Sequence, residues 1–167
     1  MQPYRLTFVA LLSLTPAGAL CADGASTSTA IVTVQSEDGK PATFDITALS
    51  KLPQHTVTAE AHGKKVTCDG VNISDLLAKV DAPQGEALRG KALTMYVRVS
   101  AGDGYRVVYS LAELDPTMHD NVPILTAHCD GATLDAKDGP FRIVNPGEKR
   151  PARWIRQVTS IDLLRAP

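Results

Sequence analysis

The chain has little of what usually announces a specialised function. It carries three cysteines and one tryptophan in 167 residues, aromatics make up 5 % of it, and 17 Lys and Arg against 18 Asp and Glu leave a net charge of −1. Without a basic excess it does not read as a general nucleic-acid binder, whose affinity would rest on a strongly positive surface. Beyond the N-terminus there is no long apolar run, so no membrane span is expected in the mature chain. Neither an internal repeat nor a low-complexity tract is present. Gly102-Asp-Gly104 does not complete a dinucleotide fingerprint, and Ser74 and Ser110 lack the Gly-x-Ser-x-Gly elbow of a hydrolase nucleophile.

What is present begins with export. Arg5 precedes the apolar run Leu6 to Leu14, followed by Pro16 and the small-residue stretch Ala17-Gly-Ala-Leu-Cys-Ala22. That is the layout of a secretory signal peptide, expected over residues 1–22 with cleavage after Ala22, and it implies a periplasmic or secreted protein. Cys21 follows Gly-Ala-Leu, the wrong order for a lipid-attachment box. Residues 23–167 remain as one domain, large enough to bury a core without disulfide staples.

Cys68 and Cys129 stay in that domain. Each lies inside an apolar run that reads as strand, which favours a small buried thiol over a disulfide and a disulfide over a metal ligand. Their separation in sequence does not decide the matter, because pairing depends on the approach of the Cα atoms in space. The four histidines show no two-ligand helical spacing, and adjacent His128 and Cys129 point to opposite faces of a strand.

Most segments read as strand. Ala30 to Gln35 and Ala42 to Thr47 form a hairpin pair around Glu37-Asp-Gly-Lys40; His55 to Ala61 and Lys64 to Cys68 form another, turning at His62-Gly63. Ser74 to Val80 reads as a short helix capped by Ser74 or Asn72. Leu93, Met95, Val97 and Val99 alternate with polar residues as a half-buried strand, paired with Tyr105 to Ser110. Leu111 to Asp115 gives at most one or two helical turns. Its Glu113 and Asp115 are a carboxylate pair that reads as solvated or capping. Ile124 to Cys129, Phe141 to Val144 and Trp154 to Leu164 complete the strands. The expected fold class is α+β and β-rich, a partly open barrel or sandwich with a few short helices covering an end and antiparallel neighbours throughout.

The C-terminal third concentrates positive charge. Arg142 precedes the Pro146-Gly147 turn, and Lys149, Arg150, Arg153 and Arg156 surround the only tryptophan. Arginine forks and turn amides suit a bound anion. A solvated, aggregation-resistant edge strand accounts for the same charges without a ligand.

Taken in order, Gly70-Val-Asn-Ile-Ser-Asp-Leu-Leu77, Ala101-Gly-Asp-Gly-Tyr105, Ser110-Leu-Ala-Glu-Leu114, Asp130-Gly-Ala-Thr-Leu134, Gly139-Pro-Phe-Arg-Ile-Val144 and Arg153-Trp-Ile155 resemble the molybdopterin-binding oxidoreductase domain of the sulfite oxidase family. The likeness runs from about Val57 to Leu164. It implies a mixed, β-rich fold and a pterin cofactor whose phosphate is gripped by basic side chains, with Arg142, Lys149, Arg150, Arg153 and Arg156 as the candidates here. One departure stands out. Catalytic members ligate molybdenum through a cysteine upstream of the segment resembling Gly70-Val71, and here that place is Thr58-Ala-Glu-Ala-His-Gly63. Without a soft thiolate the metal is not expected, and no metal ligand is assigned. Two functions follow: a secreted molybdopterin-binding redox domain lacking the usual ligand, or a non-catalytic module that binds a small anion or a partner protein.

Overall fold

The computed structural model describes Met1 and residues 30–167. The signal-peptide expectation for residues 1–22 lies outside the described residues, apart from Met1. Among the described residues no helix is long and apolar enough to cross a membrane.

Among the described residues ten strands form two five-stranded sheets and no closed barrel. In chain order they are β1 (Val32–Ser36), β2 (Ala42–Phe44), β3 (His55–Ala61), β4 (Lys64–Asn72), β5 (Met95–Ala101), β6 (Arg106–Ser110), β7 (Ile124–Cys129), β8 (Ala132–Thr133), β9 (Arg142–Val144) and β10 (Val158–Arg165). The first sheet runs β2-β1-β10-β5-β6. In the second, β3-β4-β7-β8 are neighbours and β9 also pairs with β7. One pairing departs from the expected antiparallel pattern: β1 lies parallel to β10, Val34 facing Ile161.

Several boundaries move from the sequence expectation for identifiable reasons. The strand from Ala42 stops at Phe44, because the Asp45 side chain accepts from the Ala48 amide at 2.6 Å and opens helix α1 (Ile46–Leu49). Asn72 precedes helix α2 (Ile73–Leu77) but makes no side-chain cap, and the helix tightens into a 3₁₀ turn over Ala78–Val80. Leu93 belongs to a 3₁₀ turn before β5 and is exposed. The last strand begins at Val158, because Pro151–Arg153 is another 3₁₀ turn.

The two sheets share one core. Val32 and Val34, Val97 and Val99, Val107 and Tyr109, and Ile161 and Leu163 enter it from the first sheet; Val71, Leu125, Ala127 and Ile143 enter from the second, with Leu76 and Leu77 of α2. Because successive strand residues point to opposite faces, Ile124 and Val144 lie on the other side of the second sheet. There they build a smaller core with Ala59, Cys68 and Trp154. Burial on both faces explains why β7 reads as a continuous apolar run. Where β4 bulges against β7, Gly70 is required: a Cβ there would sit 2.3 Å from the Leu125 carbonyl oxygen. Turning at His62-Gly63, both with positive φ, closes the β3–β4 hairpin with the two-residue geometry its twist demands.

Two polar groups are buried at structural junctions. Asp162, 4 % exposed, accepts from Arg98 and Gln35 and so ties the outer face of β10 to both neighbouring strands. Asp115, 3 % exposed, accepts from the Gly85 amide at 2.7 Å, the Thr117 amide at 2.8 Å and the Thr117 hydroxyl at 2.6 Å. Burial alone would raise its pKa, but these three bonds outweigh it and hold the carboxyl below its ordinary value. A carboxyl with a depressed folded pKa contributes stability above its unfolded pKa of about 3.9, lost as pH falls through the folded value. Asp115→Asn should therefore cost about 1–3 kcal/mol at neutral pH, and the gap to wild type should shrink in acid. Urea unfolding at about pH 7 and pH 3 reads this directly; a gap that widened in acid would contradict it.

Candidate functional site

The cationic segment folds back on itself after β9. Ile143 donates to the Ile155 carbonyl at 2.8 Å, and the Trp154 indole donates to the Asn145 carbonyl at 3.0 Å. The turn between them is fixed by Asn145, whose side-chain oxygen accepts from the Gly147 amide at 3.1 Å. Trp154 is thereby locked over the smaller core, and the five candidate cations are distributed around it.

They fall into three groups. Arg153 is held between Glu148, which takes its Nε at 2.6 Å, and Glu113, which takes Nη1 at 2.7 Å. Nη1 also donates to the Val108 carbonyl of β6 at 3.2 Å, and the guanidinium lies 4.6 Å from the Tyr109 ring centroid. Burial opposes the charge on Arg153, yet the two glutamates hold its pKa above the usual value. The Tyr109 hydroxyl donates to the Arg153 carbonyl, and burial pushes its pKa well up. Arg142 and Arg156 share Asp138, the former in a close pair and the latter at 3.4 Å. Arg142 also lies 5.6 Å from the Trp154 centroid, and its buried Nε has no partner among the described residues. Lys149 and Arg150 have no carboxylate partner among the described residues. With Glu60, His62, Gly63, Pro146 and Glu148 they line an open cleft of ≈ 810 Å³ between the β3–β4 turn and the loop after β9.

The segment thus folds back, but Arg142 and Arg153 end on different carboxylates and different rings. Three groups that organise them, Asp138, Glu148 and Glu113, carried no sequence signal beyond their charge. Glu113 and Asp115 do not act as a pair: the first meets Arg153, while the second is buried against Gly85 and Thr117.

Cys68 and Cys129 are joined in a disulfide, which corrects the expectation of two buried thiols. The register explains it. They face each other across β4 and β7, with Cα atoms 4.0 Å apart. The Asp130 amide donates to the Thr67 carbonyl and the Thr67 amide donates to the Asp130 carboxylate, so the cysteines occupy the narrow, non-hydrogen-bonded site where side chains approach closest.

This bond also decides how the residues fit a molybdenum site. Thr58 to Gly63 offers no thiolate, and the two cysteines of the described residues are consumed by each other. Among the described residues the soft ligand that such a metal requires is missing, and the residues present there do not fit it.

The architecture is that of a strand-rich α+β domain with two sheets and few helices. No protein-family model matches the chain. No curated protein matches it either. Among solved structures, the sulfane dehydrogenase SoxCD from Paracoccus pantotrophus shares this architecture with a TM-score of 0.63 and 18 % identity, over 81 % of this chain. The chain spans 38 % of that protein's length. The likeness concerns the fold alone, and at that level it agrees with a distant molybdopterin-enzyme-like fold.

Proposed function

We propose that this chain is an exported binding module on a molybdopterin-enzyme-like fold, taking a small anionic ligand and performing no molybdenum chemistry. The observation that carries this reading is the Cys68–Cys129 bond, which removes both thiolates of the described domain. The ligand's charge is met by Lys149 and Arg150 in the cleft beside His62, while Arg142, Arg153 and Arg156 are held by carboxylates outside its lining. A phosphate-bearing pterin is one ligand of this kind. Exposed cations attract weakly and are screened by salt, so affinity should be modest and fall as ionic strength rises.

Protein purified from a host that makes the pterin cofactor should contain far less than one molybdenum per chain, and its first residue should follow Ala22. About one metal per chain, lost in Cys68→Ser with the fold intact, would reinstate the redox domain. In calorimetry with inorganic phosphate and a phosphate-bearing pterin, Lys149→Ala and Arg150→Ala should each weaken binding on the order of threefold to tenfold. Equal affinity in the variants, or no binding to wild type, would reduce the cluster to an ordinary charged surface.

A further inference from the structure

We infer that β3 is a homodimer edge, on which two copies of the chain join their second sheets antiparallel about Thr58. Among the described residues β3 ends its sheet and pairs only with β4. Its seven residues, His-Thr-Val-Thr-Ala-Glu-Ala, run in unbroken register, with no lysine, proline or bulge to deter another strand.

The other edges are short or covered. β2, β8 and β9 have three, two and three residues. On β6 the outward Val108 carbonyl is taken by Arg153, and the hydroxyls of Tyr105 and Tyr109 bind the Pro151–Arg153 turn beside it.

Hydrogen-bond parity, with the overlap of all three outward residues, selects the register. The two-residue turn at His62-Gly63 makes Ala61 and Lys64 a hydrogen-bonded pair. Val57 and Ala59 then also bond to β4, and the N–H and C=O groups of Thr56, Thr58 and Glu60 point away from the sheet. An antiparallel copy centred on Thr58 places Thr58 opposite itself and Glu60 opposite Thr56 of the second copy. All three residues then exchange their backbone bonds, six in all by this parity rule.

Side chains agree with that pairing. Glu60 is the one carboxylate or ammonium on β3, and it lies opposite Thr56, whose hydroxyl donates to Asp69, so no like charges face each other directly. On the inner side Val57 lies opposite Ala59 of the second copy. Val57, Ala61 and Val66 are only half-buried around the smaller core, and a second hairpin continues that apolar surface across the axis. A self-complementary strand of this kind is what a two-fold interface needs.

The test uses purified protein with the N-terminus its host leaves. Sedimentation from about 5 to 300 µM should show a monomer–dimer equilibrium. Amide exchange of Thr56, Thr58 and Glu60 should slow as concentration rises, while Val57 and Ala59 stay protected throughout. Thr58→Pro removes an outward amide that the sheet itself does not use, and should raise the dimer dissociation constant at least about tenfold with unchanged circular dichroism. Thr58→Lys serves if the proline variant fails to fold, with the same expectation. A protein still monomeric at the top of the range overturns the inference and leaves the edge to a strand of another protein. A dimer that survives either folded variant, or exchange at Thr58 that ignores concentration, overturns it equally.

Discussion

Replacing Cys68 and Cys129 together by alanine is expected to lower stability by about 4 kcal/mol. The bond spans 61 residues, and cross-linking a loop of that length removes unfolded-state entropy worth roughly that much at 25 °C. For a domain of this size each kcal/mol corresponds to about 3–5 °C in melting temperature, so a drop of about 12–20 °C should follow. Reduced wild type should match the alanine pair, because both relax the same constraint on the unfolded chain. Since natural domains hold only about 5–15 kcal/mol in total, the loss is a large fraction of what keeps this one folded. Urea unfolding of the oxidised, reduced and alanine forms measures it. A difference below about 1 kcal/mol would show that the β4–β7 ladder, not the bond, fixes this region.

Trp154→Ala should cost about as much by another route. Trp154 is 4 % exposed; its truncation empties the smaller core over Ile124, Val144 and Cys68, at about 3–5 kcal/mol for a buried tryptophan. The Asn145 carbonyl also loses the indole donor, and Arg142 loses the ring beneath it. Trp154→Phe separates these contributions: it keeps most of the packing and leaves the carbonyl unpaired, for about 1–2 kcal/mol. If alanine and phenylalanine prove equally mild, the tryptophan is not the clamp that its contacts describe.

Local patterns were the most legible part of the chain. β3 and β7 match the alternation of His55 to Ala61 and the apolar run Ile124 to Cys129 residue for residue, because turns at His62-Gly63 and Asp130-Gly131 bound them sharply. Non-local facts were not legible. The pairing of β1 with β10 and the facing of Cys68 and Cys129 depend on register across long loops. Around Trp154 the positive charges were visible, whereas their partners were not. Glu113 reaches Arg153 from 40 residues away, and nothing in a carboxylate's own neighbourhood announces so distant a contact.

The parallel pairing of β1 and β10 constrains how the domain is made. Gln35 reaches Asp162 across 127 positions of sequence, and β10 separates β1 from β5 in the middle of its sheet. Until Val158–Arg165 is in place, the first sheet is two disconnected ribbons, β1 with β2 and β5 with β6. Non-local closure of this kind slows folding toward milliseconds to seconds. A nascent chain therefore cannot complete this sheet before Val158–Arg165 has been synthesised, which leaves β1 and β2 waiting while more than a hundred residues are added.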